Sequence, residues 1–332
     1  MNVFLHIGYP KCFSTTLQRN YFSTHPDIHY GGIGIESNID FVNNEVNLLF
    51  ESGIIYFRNA VYKLHKQKFM DSVERFLAQS PDEKFIAGFS SEHLLFNFTP
   101  QGVDYTIKLE RLREIFGEKI KLIVVIRDQF KLIQSLYKEY VRLGYFQSYE
   151  DFVYWIYKYQ DRNFLCELMY GDVIEHLYTL FNKNNVLLLD FETYKPKSIL
   201  NDSKLFRDIS NFLNVSLNHF DSSNYNPSMK NDVIFEIIEN NISNRHDLGL
   251  DMLEGIENFR RRVFYNEVLN LNLSEDEMFA DVIKKRENTS DVVPSTTDNY
   301  IFEIKNDFWH GKLEEKFIET NEKINNLRKI NL

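Results

Sequence analysis

Four short apolar runs recur along the first 200 residues, and segments with helical periodicity lie between them. The runs read VFLHIGY from residue 3, KFIAGFS from residue 84, KIKLIVVIR from residue 119 and NVLLLDF from residue 185. Continuous apolar runs of this length are typical of parallel strands that are buried on both faces. The pattern therefore predicts four strands of one parallel sheet.

Helical periodicity fills the intervals between the runs, and Gly117 and Gly144 are placed as C-terminal caps. The predicted helices cover residues 14–22, 104–117, 129–144, two stretches within 149–181, a segment that begins near Asn201 and Asp202, and 306–329. Strands that alternate with helices in this way indicate an α/β fold of three layers, with a central parallel sheet flanked by helices.

The pattern changes from about residue 222 to residue 300, where helical segments without strands are joined by polar stretches. We predict an α/β core formed by residues 1–221 and 301–332, and a mainly helical insert or lid over residues 222–300. The insert carries three consecutive arginines, Arg260, Arg261 and Arg262. We favour a solvated helix face for these arginines over binding of an acidic glycan.

Composition sets limits on what the protein does. The chain has 332 residues, of which 43% are hydrophobic, and its 29 Phe and 19 Tyr support a large core rather than a disordered chain. A formal net charge of -10 argues against a general binder of nucleic acid or of anionic membranes, because such binders need an excess of Lys and Arg. A local basic pocket remains compatible with this charge.

Cysteine usage and the N-terminal sequence indicate a cytoplasmic protein. Cys12 and Cys166 are too few for a disulfide framework or a four-cysteine zinc site. The chain enters its first predicted strand without the basic and apolar regions of a signal peptide, and it has no apolar run long enough to span a bilayer. We expect no transmembrane segment, no nucleic-acid partner and no metal.

The first candidate for chemistry is the turn after the first predicted strand, which reads YPKCFSTT. Lys11 and the hydroxyl residues Ser14, Thr15 and Thr16 lie where backbone N–H groups and the helix dipole favour an anion. Two interpretations are open: the turn binds a phosphate-like group, or Ser14 or Thr15 caps the helix while Lys11 is solvated. A Walker A loop is disfavoured because the lysine comes too early and no second glycine precedes it.

The second candidate is the segment VVIRDQFKLIQS. Arg127 ends a predicted buried strand, and Ser135 lies eight positions later in the following helix. Lys131 and Ser135 share one side of that helix with Lys138 and Arg142, opposite its apolar side. The segment is interpreted either as a second anion site or as a turn followed by a solvated helix face.

Together and in this order, the two segments resemble the sulfotransferase family that uses 3'-phosphoadenosine 5'-phosphosulfate (PAPS). YPKCFSTTLQ is similar to that family's 5'-phosphosulfate loop, and IRDQFKLIQS to its 3'-phosphate segment. The resemblance implies a P-loop-like fold, PAPS as the donor and adenosine 3',5'-bisphosphate (PAP) as the product. The donor-binding residues it implies are Lys11, Cys12, Phe13, Ser14, Thr15, Thr16, Arg127 and Ser135.

The chain departs from the family's pattern at several places. Phe13 stands where glycine is usual, and Gln129 replaces a common proline. The glycine-rich C-terminal motif of the hormone-type members is not evident, whereas NYNPSMK at residues 224–230 is similar to a segment of the carbohydrate-directed members. The resemblance thus points away from phenols and steroids and toward a saccharide or glycan hydroxyl as acceptor.

The resemblance also implies catalytic roles. Lys11 would stabilise charge on the leaving oxygen, and a general base in GFSSEHLLF would take the acceptor's proton. Glu92 and His93 are both candidates for that base, and Glu92 is favoured. His6 is predicted to be a satisfied interior residue, whereas His25 and His29 flank a loop that could border the acceptor. The transferred group carries less charge than a phosphoryl group, so no metal is required.

Two other functions remain open on the sequence. One is a P-loop nucleotide or sugar kinase, and the other is a nucleotide-binding scaffold that no longer turns over its ligand. Preference for PAP over ATP with magnesium would argue against the kinase, and transfer of labelled sulfate would argue against the scaffold.

Overall fold

A five-stranded parallel sheet forms the centre of the protein in its computed structural model, which describes residues 2–31, 53–55, 57–79, 86–98, 103–142, 145–160, 163–194, 204–217, 231–243 and 307–329. The strands lie in the order β2-β3-β1-β4-β5, and all pairs are parallel. They are β1 (Val3–Gly8), β2 (Ile28–Tyr30), β3 (Ile86–Ser91), β4 (Lys121–Ile126) and β5 (Val186–Asp190).

The central strand is β1, which pairs with β3 on one side and β4 on the other. Every residue from Phe4 to Gly8 is buried, so both faces of this strand are covered. Apolar side chains on both faces explain the continuous apolar run in the sequence, because alternate residues of a strand point to opposite faces. Gly88 on β3 leaves room for the ring of Phe4, since an added Cβ would lie 2.0 Å from it.

Helices follow or separate the strands, as expected for an α/β fold. In chain order they are α1 (Ser14–Thr16, continued by a π-helical turn at Leu17–Phe22), α2 (Asn59–Ala78), α3 (Tyr105–Phe116), α4 (Gln129–Arg142), α5 (Tyr149–Lys158), α6 (Leu165–Leu168), α7 (Tyr170–Phe181), α8 (Phe191–Tyr194), α9 (Lys204–Leu213), α10 (Asn231–Ser243) and α11 (Asp307–Lys329). Short 3-10 turns lie at Glu92–Leu94 and Lys183–Asn185.

Local signals in the sequence account for several helix ends. Ser148 and Asp151 form a capping box at the start of α5, and the side chain of Asp104 accepts a hydrogen bond at the start of α3. The helix α3 ends at Gly117, whose φ of 78° is in the region that glycine adopts without strain. These contacts satisfy backbone groups that the first and last turns leave unpaired.

The predicted α/β fold with a central parallel sheet is confirmed, and so are the four predicted strands. Among the described residues, three further elements were missed: β2 is too short for a readable pattern, and neither α2 nor the four-residue helix α8 was predicted. Residues 149–181 hold three helices rather than two, because Leu165–Leu168 forms a separate turn. Within residues 222–300 the described helix is α10, while Arg260–Arg262 and most of the insert lie outside the described residues, as does Gly144.

The carboxyl ends of β1, β3, β4 and β5 meet at one edge of the sheet, because all the strands are parallel. Parallel sheets bind their ligands at this edge. Among the described residues, none of the helices combines the length and apolar character needed to cross a bilayer.

Candidate functional site

The loop after β1 has an unusual backbone conformation. Lys11 and Phe13 both have positive φ, at 61° and 65°. Phe13 is the N-cap of α1, has no side-chain cap hydrogen bond and is followed directly by right-handed Ser14. A left-handed residue next to a right-handed one turns successive N–H groups toward the same side and forms an anion-binding concavity.

This geometry bears on the capping interpretation of the loop. Ser14 is the first helical residue rather than the cap, so neither Ser14 nor Thr15 has the capping role that the sequence left open. The first N–H groups of a helix have no partner within the helix. The loop therefore presents donors without a side-chain acceptor at the helix start, as an anion site requires.

Phe13 takes the conformation expected of glycine. A left-handed backbone costs a non-glycine residue roughly 1 to 2 kcal/mol. The ring of Phe13 packs on that of Phe191 with centroids 4.3 Å apart, and this contact offsets part of the cost. The departure from the usual glycine thus leaves the loop with positive φ at this position.

Arg127 connects the two predicted anion segments. It follows β4, and its Nη1 donates to Ser135 Oγ at 3.1 Å and to the carbonyl oxygen of Lys11 at 3.2 Å. Its guanidinium also lies over the ring of Phe191, 4.8 Å from the centroid. The predicted spacing of eight residues between Arg127 and Ser135 thus brings their side chains into contact, beside the loop that carries Lys11.

Two carboxylates that the sequence reading did not single out pair with the cations of the site. Glu139 Oε2 lies 2.8 Å from Lys11 Nζ, and Glu192 Oε2 lies 3.2 Å from Lys131 Nζ. Glu192 Oε1 is also 3.9 Å from Arg127 Nε. The spacing of four residues between Ser135 and Glu139 on α4 was an available signal, because such residues share a helix face.

The electrostatics of Glu139 follow from these contacts. Burial alone would raise the pKa of this carboxyl, but the charges and hydrogen bonds of Lys11 and Arg142 together outweigh burial. The net result is a lowered pKa, so Glu139 is ionised at neutral pH and holds Lys11 in an ion pair.

The turn after β3 carries the two candidate bases. Ser91 Oγ accepts a hydrogen bond from the backbone N–H of His93, and the His93 ring meets the ring of Phe98 edge-on at 5.4 Å. Burial raises the pKa of the Cys12 thiol; the positive charge of Arg127 opposes this rise and the negative charge of Glu92 adds to it.

A network of buried polar side chains holds this turn in place. Lys108 is fully buried, and its Nζ donates to the carbonyl oxygen of His93 at 2.7 Å and to Asn97 Oδ1 at 2.6 Å. Asn97 donates in turn to Glu167 Oε1 at 2.8 Å, and the carbonyl oxygen of Glu167 accepts from the hydroxyl of Tyr9 at 2.6 Å. Since Tyr9 begins the loop, the network ties the base-bearing turn to the loop.

Three other histidines have structural partners. His6 is buried on β1 with Nδ1 2.7 Å from Ser90 Oγ, which confirms it as a satisfied interior residue. His25 and His29 each place Nε2 near a backbone carbonyl oxygen, of Ser216 at 2.9 Å and of Phe76 at 3.2 Å. Burial lowers the pKa of His6 to about 4 and also lowers the pKa of His25.

Comparisons with known proteins give structural likeness alone. No protein-family profile matches the chain, and no curated protein matches its sequence. Among solved structures, a sulfotransferase from Alicyclobacillus acidocaldarius is 17% identical with a TM-score of 0.47, and the match covers 77% of this chain and 96% of that one. Retinol dehydratase in complex with androsterone and inactive cofactor PAP is 12% identical with a TM-score of 0.29, covering 98% and 80%.

Proposed function

We propose that the protein is a PAPS-dependent sulfotransferase that moves a sulfuryl group to an acceptor hydroxyl. The observation that carries the proposal is the double hydrogen bond of Arg127 Nη1 to the loop carbonyl of Lys11 and to Ser135. It joins the two segments whose residues resemble the donor-binding segments of that family. Two anion sites side by side suit a nucleotide with separate anionic groups at its 3' and 5' positions.

The loop residues fit the 5'-phosphosulfate end of the donor. Residues 12–16 supply backbone N–H groups and hydroxyls around the uncapped start of α1, and Lys11 supplies a positive charge. Arg127 and Ser135 would hold the 3'-phosphate. When bound, PAPS would supply the activated sulfuryl group, and the chain's own residues would position it.

Lys11 is the proposed stabiliser of the leaving oxygen. A lysine ammonium has three donors, and Glu139 takes one of them. The other donors can reach an oxygen of the bound donor and stabilise the negative charge that develops there as the S–O bond breaks. The bond that forms joins sulfur to the acceptor oxygen, and the acceptor's proton passes to a base.

Glu92 is the favoured base and His93 the alternative. Glu92 is favoured because it follows β3 directly, and β3 pairs in parallel with β1, so Glu92 emerges at the same edge of the sheet as the donor loop. The buried network of Lys108, Asn97 and Glu167 would fix the turn that carries both residues. A fixed base within reach of the acceptor hydroxyl contributes by position as well as by pKa.

The acceptor is proposed to be a saccharide or glycan hydroxyl, and the reaction to need no metal. A cytoplasmic setting belongs to the same proposal, since Cys12 and Cys166 are both free thiols.

The direct test is transfer of radiolabelled sulfate from PAPS to panels of glycan, phenol and lipid acceptors. The expected result is labelled product with glycans, and PAP binding that exceeds binding of ATP with magnesium. Strong thermal stabilisation by ATP with magnesium, with PAP inert, would contradict the proposal and favour a kinase. Tight PAP binding without transfer to any acceptor class would favour a non-catalytic scaffold.

A further inference from the structure

Glu192 lies beside both cations that would receive the donor's 3'-phosphate. Its two oxygens are 3.2 Å from Lys131 Nζ and 3.9 Å from Arg127 Nε. The side chain of Glu192 is 29% exposed and that of Arg127 is 16% exposed, so solvent screens their interaction in part. The proposed phosphate site therefore already contains a negative charge supplied by the protein.

The contact between Glu192 and Arg127 is not a tight salt bridge. Glu192 Oε1 and Arg127 Nε are both buried without a hydrogen-bond partner, and their separation of 3.9 Å is too long for a hydrogen bond. Buried polar atoms without partners cost free energy. The ion pair thus neutralises charge without satisfying either atom, and a ligand that bonded to Arg127 would compete with a weak partner.

The backbone keeps Glu192 at this place. Its N–H donates to Asp190 Oδ1 at 2.9 Å, which fixes the turn where β5 ends. The residue between them, Phe191, packs under the guanidinium of Arg127 and against the ring of Phe13. These two contacts hold the backbone that leads into Glu192 beside Arg127, whereas the partly exposed side chain of Glu192 can turn toward solvent.

We propose that Glu192 is a specificity-determining residue that reduces the preference of the donor site for nucleotides with a 3'-phosphate; this rests on the proposed function. If Glu192 stays when a 3'-phosphate binds, the two negative groups repel each other. If its side chain moves away, it loses its ion pairs with Arg127 and Lys131. Both effects weaken the binding of nucleotides that carry a 3'-phosphate. Neither affects the binding of the same nucleotide without that phosphate.

The test is the ratio of two dissociation constants, for PAP and for adenosine 5'-monophosphate (AMP), measured by calorimetric titration. Glu192→Gln keeps the side-chain shape and removes the charge. We expect it to tighten PAP binding roughly three- to tenfold, the range for losing partly exposed ion pairs, and to leave AMP binding unchanged.

A matched control removes the same charge elsewhere. Glu175 Oε2 pairs with Lys323 on α11 at 2.6 Å, so Glu175→Gln also deletes an ion-paired carboxylate and shifts the net charge equally. Glu175→Gln should leave the ratio of the dissociation constants for PAP and AMP unchanged.

A double variant tests the role of Arg127. In an Arg127→Ala background, Glu192→Gln should tighten PAP binding by a smaller factor, because one of the two cations has been removed.

The outcomes separate this inference from the function on which it rests. If wild type prefers PAP over AMP and Glu192→Gln leaves that ratio unchanged or lowers it, Glu192 orients Arg127 instead, and the inference is wrong while the function stands. If neither wild type nor Glu192→Gln prefers PAP, the function fails and the inference with it. PAP binding that appears or strengthens in Glu192→Gln alone supports both.

Discussion

The ammonium of Lys11 lies 2.8 Å from the carboxylate of Glu139, which projects from α4 one helical turn beyond Ser135. The side chain of Lys11 is 42% exposed and that of Glu139 only 14% exposed. The lysine thus reaches out of the loop toward a fixed negative charge. An ammonium held in this way keeps donors for a ligand at the loop.

Replacing Lys11 by Ala should impair both PAP binding and sulfuryl transfer, with a loss of roughly 100-fold in transfer rate. The ammonium is proposed to contact the bound donor as well as the charge that develops on the leaving oxygen. Calorimetric titration and initial rates with labelled PAPS measure the two effects. Glu139→Gln breaks the same ion pair and keeps the ammonium, so its loss should be much smaller. Equal losses in the two variants would show that the ion pair itself matters and not contact with the donor.

Much of this site could be predicted from the sequence because it depends on where strands end. The apolar runs locate the carboxyl edge, and Lys11, Glu92 and Arg127 each lie at the end of a run or two residues after it. Residues at the carboxyl ends of parallel strands lie near one another at one edge of the sheet, whatever sequence separates them.

The partners of these residues could not be predicted in the same way. Glu192 reaches Arg127 because β5 lies next to β4, and strand order is not visible in apolar periodicity. The positive φ of Phe13 was likewise hidden, since a bulky residue at a left-handed position contradicts local preference. Conflicts of this kind between local preference and fold are expected at functional sites.

Arg127→Ala and Ser135→Ala should each weaken PAP binding while leaving adenosine 5'-phosphosulfate, which lacks the 3'-phosphate, nearly unaffected. Each charge-assisted contact is worth roughly 1.5 to 3 kcal/mol. Titration of both nucleotides against each variant measures the difference. Arg113→Ala is a control, because Arg113 pairs with Glu118 at 3.7 Å on the exposed surface. Equal losses for the two nucleotides would assign Arg127 and Ser135 a structural role in the loop.

Phe13→Gly should be more stable than Phe13→Ala by about 1 kcal/mol, the reverse of the usual order in a helix or strand. Both variants lose the contact with the ring of Phe191, so their difference isolates the backbone conformation at φ 65°. Urea unfolding of the two variants measures it. Equal stability, or a more stable Ala variant, would show that position 13 does not hold a left-handed backbone in solution.

His6 should make folding less favourable as pH falls. Its pKa is about 4 in the folded protein, against 6.5 for an ordinary histidine, because burial disfavours the charged ring. The unfolded chain therefore binds the proton first. The contribution of neutral His6 to the free energy of unfolding is fully present above pH 6.5. It is lost between pH 6.5 and 4, by about 1.4 kcal/mol per pH unit in the middle of that range.

Urea unfolding of wild type and His6→Asn at several pH values tests this expectation. The variant is expected to be less stable at pH 7, because the contact with Ser90 changes, but its stability should fall less steeply with acid. His25, whose pKa is also lowered, contributes to both proteins and cancels in the comparison. Parallel pH profiles would mean that His6 does not titrate with folding.

The general base should be recognised by a loss of rate that spares binding. Glu92→Gln, or His93→Ala if that residue is the base, should keep PAP affinity near that of wild type and reduce transfer by about 100-fold or more. Single-turnover rates with labelled PAPS, combined with PAP titrations, separate chemistry from binding. The expected loss is in Glu92→Gln, because Glu92 follows β3 directly at the edge of the sheet that carries the donor loop.

His93→Ala makes the comparison informative because both residues belong to one short turn. The hydrogen bonds of His93 to Ser91 and Lys108 use backbone atoms, so removing the imidazole leaves those bonds intact. A local change in the turn would therefore slow both variants alike, whereas loss of a base slows one of them. If both variants fold and transfer sulfate at the rate of wild type, neither residue is the base. The proton acceptor would then have to be sought at His25, at His29 or in the insert over residues 222–300. The insert gains weight in that case, because His25 and His29 each already face a backbone carbonyl oxygen.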